Sequence, residues 1–319
     1  MDTQMLSCDW GTTSFRLRLV DTGTGAVLCE SLSGEGIRSV YHAWVEDGAE
    51  EHRRAGFYLA IIKQHIGLLQ QQHPGMKKEL PVVISGMASS TIGIKELPYT
   101  PIPFFTDGSN LLVEKIAKTG FFAHELFIIS GACTASDVMR GEETQLAGCA
   151  GENPEASQFF IFPGTHSKHV LAEGGKVLAI TTYMTGELFS LMADHSILAS
   201  SVQPGSDAVQ AANAFQEGVT AAQGRPLSHA LFLVRTNQLF KRFSLQDNYH
   251  YLSGLLIGAE LGSLQAKPPA LLTISGEEKI LPSYIAALDV LGIRSVIKTI
   301  DAATASIRGQ LAVYRRVCR

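Results

Sequence analysis

The chain has 319 residues, 45% of them hydrophobic and 18% charged, which is more apolar material than one ordinary core takes and argues for two domains. Its net charge of -4 is spread along the chain, without the basic face that nonspecific nucleic-acid binding requires. The five cysteines, Cys8, Cys29, Cys133, Cys149 and Cys318, are scattered and form no C-x-x-C pair, so neither a disulfide framework nor a zinc site is indicated.

Three strands are predicted first, at residues 5–10, 15–21 and 26–32, as a meander. A helix over 43–69, a buried strand at 81–85, a helix over 109–118, a strand at 126–130 and a helix starting near Ser136 complete the first half. From Gln158 the pattern restarts with a strand, a Gly-Thr turn, two strands and helical insertions. A strand at 270–274, a helix, a strand at 295–300 and a final helix from Asp301 follow. The strongest composition break, residues 148–158, places a boundary between domains of residues 1–150 and 151–319. The opening M-D-T-Q-M-L-S-C-D-W lacks a positive n-region, and no apolar run of ~18 residues or more follows, so a cytoplasmic protein without membrane partners is expected.

The first turn, S-C-D-W-G-T-T-S-F-R, ends an apolar strand in an acid and then offers a glycine and hydroxyls. Asp9 supplies a hard oxygen for Mg2+, Gly11 lets the backbone approach a ligand, and Thr12 and Thr13 add donors beside exposed amides. The second half repeats the arrangement in F-F-I-F-P-G-T-H-S-K-H-V, where Gly164, Thr165, His166, Ser167 and Lys168 form the turn. Two such turns suit a polyphosphate, although each alone also reads as an ordinary hairpin. Arg16 and Lys168 are the cations nearest the turns, suited to charge developing on a transferred phosphoryl group.

With these motifs the chain resembles the 2-dehydro-3-deoxygalactonokinases, within the actin, hexokinase and Hsp70-like ATPase superfamily. The resemblance rests on D-W-G-T-T-S-F-R at 9–16, S-G-M-A-S-S at 85–90, D-V-M-R-G-E-E-T-Q-L-A-G at 137–148, F-P-G-T-H-S-K-H-V at 162–170, T-T-Y-M-T-G-E-L-F at 181–189 and L-S-G-L-L-I-G-A-E at 252–260. It implies an α/β fold of two ribonuclease-H-like domains with a nucleotide cleft between them. It also implies ATP and Mg2+ as cofactors and phosphorylation of the terminal C6 hydroxyl of 2-dehydro-3-deoxy-D-galactonate. Another sugar acid, such as 2-dehydro-3-deoxygluconate, and a noncatalytic ATP-binding relative remain alternatives. A homodimer is left open.

Phosphoryl transfer to an alcohol needs a carboxylate to accept the hydroxyl proton. Asp137, Glu142 and Glu143 compete for that role. Residues 141–148 resemble the G-D-Q-x-A-x-x-G pattern of related sugar kinases with one residue missing, which ranks Glu142 first and Asp137, also suited to a helix cap, second. For the sugar acid, the loops carrying Gly36 and Arg38 and then Ser85, Gly86, Met87, Ala88 and Ser89 offer amide donors, with Arg38 and Lys95 as carboxylate partners and Thr185 contributing from the second half. By the same resemblance, Ser275 and Gly276 take the adenine turn, with Glu277 and Glu278 as a departure from the usual glycines. No G-x-S-x-G elbow supports a hydrolase and no helix-turn-helix supports a sugar sensor.

Overall fold

The structure is a computed structural model that describes residues 3–48, 50–150, 156–205 and 208–318. The chain folds as two compact units, one of Met1–Ala156, Leu171–Ile180 and Ala302–Arg319 and one of Ser157–Val170 and Thr181–Asp301. The expected cut at 150/151 falls at residues 151–155, which lie outside the described residues.

In the first unit, β1 (Gln4–Trp10), β2 (Phe15–Asp21) and β3 (Val27–Ser33) form an antiparallel meander. Alternation decides which way β1 faces: Leu6, Cys8 and Trp10 enter a fully buried core with Tyr58, Ile62, Ile66 and Leu69. Those four belong to α2 (Glu51–Gln72), which follows α1 (Ile37–Glu46). The single helix expected over 43–69 is thus two. Asp47 and Gly48 close α1 by donating to the carbonyls of Ala43 and Val45.

Next come β4 (Val82–Gly86), the short strands β5 (Thr100–Pro101) and β6 (Phe104–Phe105), then β7 (Val113–Ile116) and β8 (Leu126–Ile129). The sheet order is β3-β2-β1-β4-β8-β7, with β4 parallel to β1 and to β8. The expected helix over 109–118 is instead the antiparallel edge strand β7, in which Val113 pairs with Ile129 and Ile116 with Leu126. Pairing wins over helical spacing because β8 is buried along its whole length and its backbone groups need partners. The helix expected from Ser136 is likewise a hairpin of β9 (Ala132–Cys133) and β10 (Val138–Met139), and α3 (Glu142–Cys149) starts only after it.

The second large sheet repeats the first. Strands β11 (Gln158–Phe162), β12 (Ser167–Glu173) and β13 (Lys176–Tyr183) are followed by four helices, α4 (Thr185–His195), α5 (Ala208–Ala221), α6 (Leu227–Leu239) and α7 (Leu245–Leu261). Then come β14 (Leu271–Gly276), α8 (Leu281–Val290), β15 (Val296–Asp301) and α9 (Ala302–Val317). The sheet runs β15-β14-β11-β12-β13-β6, with β14 parallel to β11 and to β15. Taken in chain order, the five main strands of each large sheet follow one pattern, third-second-first-fourth-fifth, which is the ribonuclease-H-like repeat that the resemblance implied. The helices between β13 and β14 carry a core of their own, built on Leu198, Val234, Tyr251, Leu252 and Leu255.

The final helix, read with residues 151–319, packs within the first unit. A Cβ on Gly309 would stand 1.8 Å from the Thr144 carbonyl oxygen, and one on Gly148 would stand 1.9 Å from that of Ala305. Bare backbone at both positions is what lets α9 lie against α3. Among the described residues, no helix is long and apolar enough to cross a membrane.

Candidate active site

The first Gly-Thr turn joins β1 to β2 and closes with the Gly11 N–H donating to the Ser14 carbonyl at 2.9 Å. The start of α1 buttresses it: Ile37 and Arg38 donate their N–H groups to the carbonyls of Gly11 and Thr12 at 3.0 and 3.2 Å. This takes up two of the turn's acceptors and leaves amides and hydroxyls as its offer to an anion. Gly36 is needed because its Cα lies so close to the turn that a Cβ would be 2.3 Å from the Thr12 carbonyl oxygen. Asp9, one residue before the end of β1, has its carboxylate 3.3 Å from Arg16 Nη1, the two side chains 20% and 35% exposed.

Parallel pairing sets Asp9 opposite Ser85 and Trp10 opposite Gly86. Gly86 has φ 91°, and a Cβ there would lie 2.7 Å from the Trp10 carbonyl oxygen. Gly141, with φ 112° at the start of α3, packs against Gly86 in turn, its Cβ position 3.4 Å from Gly86 Cα. The C-terminal ends of β1 and β4 and the N-terminus of α3 therefore meet at one place, which brings Asp9, Gly86 and the turn carrying Glu142 together. Gln310 of α9 secures it, donating to the Cys8 carbonyl and to Ser85 Oγ, both at 2.8 Å.

Two acids open α3 and have different surroundings. Glu142 is half-buried and its Oε2 accepts from the Arg140 N–H at 2.9 Å. Glu143 is fully buried; its two oxygens accept from the Gly141 N–H at 2.9 and 2.8 Å, and Oε1 also accepts from the Thr144 hydroxyl at 3.1 Å. Those bonds favour the ionised form, but burial, reinforced by the charge of Glu142, outweighs them and pushes the Glu143 carboxyl up to about 8. The folded protein therefore keeps a proton that the unfolded chain releases near the ordinary 4.5, so stability falls as pH climbs from that value to about 8 and then levels. Urea midpoints measured between these limits are expected to fall more steeply for the natural protein than for Glu143→Gln. Parallel curves would contradict this assignment.

The second Gly-Thr turn is exposed at Gly164, Thr165 and His166 and is buttressed in the same way. Glu187 of α4 donates its N–H to the Thr165 carbonyl at 3.0 Å, and a Cβ on Gly186 would lie 2.6 Å from the Gly164 carbonyl oxygen. His166 Nε2 meets the Glu187 carboxylate. Behind the turn lies a buried polar network, in which Ser167 Oγ is 3.0 Å from Tyr284 Oη and Tyr284 donates to Glu260 Oε2 at 2.9 Å. Thr185 Oγ1 donates to the same carboxylate, and His169 Nε2 lies 2.9 Å from its other oxygen. Burial, then the Glu260 charge, raises the Tyr284 hydroxyl far above its ordinary value, so it stays a donor. Ser275 and Gly276 end β14 beside this turn, the Gly276 Cβ position lying 3.4 Å from Pro163 Cδ.

Several expected contacts take other partners. Ser85, Ala88 and Ser89 are buried, leaving Met87 as the half-exposed member of that loop with Gly86 at its base. Lys95 is paired with Glu114 at 2.6 Å, and Arg38 is exposed beyond its bonded amide. The Thr185 hydroxyl is turned inward to Glu260, and Lys168 is buried with Nζ 3.2 Å from Thr182 Oγ1. Asp137 sits not at a helix start but in the β9–β10 turn, where its N–H donates to Thr134 Oγ1 at 2.8 Å.

The sequence profile of the family described as 2-keto-3-deoxy-galactonokinase matches residues 9–313. The chain belongs to that family. A protein named as a probable 2-dehydro-3-deoxygalactonokinase from Rhizobium meliloti (strain 1021) is 31% identical over 320 residues, 97% of this chain and 96% of the relative. The 2-dehydro-3-deoxygalactonokinase of Escherichia coli (strain K12) is 35% identical over 196 residues, 59% of this chain and 63% of its own. A Sinorhizobium meliloti crystal structure carrying the same kinase name provisionally superposes with a TM-score of 0.81 at 30% identity, covering 98% of this chain and 99% of that one. The Clostridium difficile activator of 2-hydroxyisocaproyl-CoA dehydratase, crystallised with ADPNP, shares the actin-like ATPase fold alone, with a TM-score of 0.52 at 10% identity over 99% of this chain and 96% of that one.

In this member of the 2-keto-3-deoxy-galactonokinase family, two motifs hold residues to which sequence reasoning gave no role. The R-G-E-E-T-Q segment contains Arg140, and the L-S-G-L-L-I-G-A-E segment contains Glu260, the centre of the network behind the second turn. The second motif also carries Gly254, whose Cβ would stand 2.1 Å from the Phe215 carbonyl oxygen where α7 lies on α5. The available signal was acid within an apolar helix pattern, since such an acid is buried only if partnered.

Proposed function

We propose that the chain transfers the γ-phosphoryl group of ATP to the C6 hydroxyl of 2-dehydro-3-deoxy-D-galactonate, giving 2-dehydro-3-deoxy-6-phosphogalactonate. The observation that carries this reading is the meeting of Asp9, Gly86 and the Gly141–Glu142 turn at the ends of two parallel strands. Glu142 takes the hydroxyl proton as the new O–P bond forms and the bond to the β-phosphate oxygen breaks. Asp137 fits less well, since its turn is hydrogen-bonded to Thr134.

The first Gly-Thr turn, with Arg16 beside it, offers amide and hydroxyl donors to phosphate, and the second turn exposes donors of the same kind at Gly164, Thr165 and His166. Mg2+ fits Asp9 as a single hard oxygen. Among the described residues there is no cluster of three or more acids, histidines or cysteines, so the remaining ligands would be phosphate oxygens and water, the usual way this ion is held. When bound, it neutralises charge on the transferred group. Ser275 and Gly276 suit the adenosine end, and Glu277, which follows, is partly neutralised by Lys279 at 2.9 Å. A cytoplasmic location, where ATP is available, accompanies this reading.

A coupled assay of ATP consumption over a panel of 2-dehydro-3-deoxy sugar acids, with simple hexoses as controls, tests it. Turnover is expected on the galactonate-derived acid and not on hexoses. Turnover on hexoses alone would displace the substrate class.

A further inference from the structure

We infer that Arg140 is the side chain that recognises the carboxylate of the sugar acid. This rests on the kinase reading above and adds to it the residue that sets preference for an acid over a neutral sugar.

The guanidinium is held on two sides. Its carbon lies 4.2 Å from the centre of the Tyr99 ring, and its Nη1 donates to the Ser89 carbonyl at 2.6 Å and to Ser89 Oγ at 2.5 Å. The Tyr99 ring is fixed in turn by Gly131, where a Cβ would fall 2.8 Å from Tyr99 Cε1. An arginine so placed has lost most of its rotamer freedom before any ligand arrives. Ser89 occupies one corner of the fork; among the described residues, nothing accepts from Nε or Nη2. Those two N–H groups form the edge that a planar carboxylate takes with two parallel bonds.

The position is also right. Arg140 immediately precedes Gly141 and Glu142, and its own N–H is bound by the Glu142 carboxylate at 2.9 Å. Gly141 lies on Gly86, and Ser89 belongs to the turn that follows β4, so the guanidinium spans the two segments that frame the reacting end. In the substrate the carboxylate and the reacting hydroxyl mark opposite ends of a six-carbon chain, so one cationic anchor and one base suffice to fix its direction. Neither cation expected for this task serves as well, since Lys95 is already paired with Glu114 and Arg38 is an exposed side chain.

The test compares 2-dehydro-3-deoxygalactonate with its C1 amide in the natural protein and in Arg140→Gln. The KM for the acid is expected to rise at least about tenfold in the variant, as for loss of a charged hydrogen-bond pair. The KM values for the amide and for ATP should stay within about threefold, so the preference for acid over amide collapses. Arg140→Lys, which keeps the charge but not the fork, should recover only part of it. An unchanged acid-to-amide preference in Arg140→Gln, or equal losses on both substrates, would overturn the inference. Should that variant fail to fold, Tyr99→Leu removes the stacking and leaves the arginine. A reduced preference then supports the role and a full one refutes it. Absence of turnover by the natural protein on every 2-dehydro-3-deoxy acid would strike the kinase reading instead.

Discussion

Replacing Glu142 by Gln is expected to lower kcat by about 10²–10⁴-fold, the usual contribution of a positioned general base, while the Kd for ATP stays within about twofold. The substitution separates chemistry from architecture. A Gln side chain is the same size as Glu and keeps an oxygen able to accept the Arg140 N–H, so the start of α3 and its approach to Gly86 survive. What is lost is the ability to take a proton at the point where the sugar hydroxyl meets the phosphoryl group. Asp137→Asn is the matched control, because that residue closes the β9–β10 turn through backbone bonds that the substitution leaves in place. Its kcat should remain within about threefold of the natural value. Near-normal turnover in Glu142→Gln, or a large loss in Asp137→Asn, would move the base elsewhere.

Local pattern predicted well wherever local pattern decides. The strands β1, β2, β4, β8, β14 and β15 are short apolar runs bounded by turn residues, and both Gly-Thr turns were legible as strand-turn-strand segments. The doubled fold was legible too, because one order of strands and helices occurs twice. Errors fall where a distant partner overrules spacing. Residues 113–116 carry helical spacing yet pair with β8, and the segment before α3 is a hairpin because the Thr134 hydroxyl and the Asp137 carbonyl close a turn on it. A further repeat was visible only with the strands aligned: Ile84-Ser85-Gly86 and Ile274-Ser275-Gly276 end equivalent strands beside equivalent turns. Site residues followed the same division. The turn at Gly11 could be read from its motif, whereas the close approaches at Gly36 and Gly86 and the surroundings of Glu143, Arg140 and Glu260 depend on burial and on partners remote in sequence or hidden by folding.

Gly309→Ala is the second large effect expected, and it acts far from any phosphate. The added Cβ would stand 1.8 Å from the Thr144 carbonyl oxygen and 2.7 Å from its carbon, both backbone atoms inside α3, so no side chain can swing aside to admit it. Either α9 or α3 must retreat, and Gly148 against Ala305 at 1.9 Å shows that the two helices touch at a second point along the same line. Retreat would open packing around Leu146 and Leu311, both buried, and overpacking of this kind costs about 1–3 kcal/mol or more. The Tm of the first unit should therefore drop by several degrees, on the scale of about 2–4 °C for each kcal/mol in a domain of 150–250 residues. Gly67→Ala in α2 is the control, because nothing lies within 4 Å of its added Cβ and helix propensity favours Ala. Its Tm should hold or rise. Because α3 also carries Glu142, Gly309→Ala is expected to lose kcat even at temperatures where it remains folded. A variant with lowered Tm and full kcat would show that the base is insensitive to where α9 holds its helix, which the close approach at Gly309 and the hydrogen bonds of Gln310 argue against.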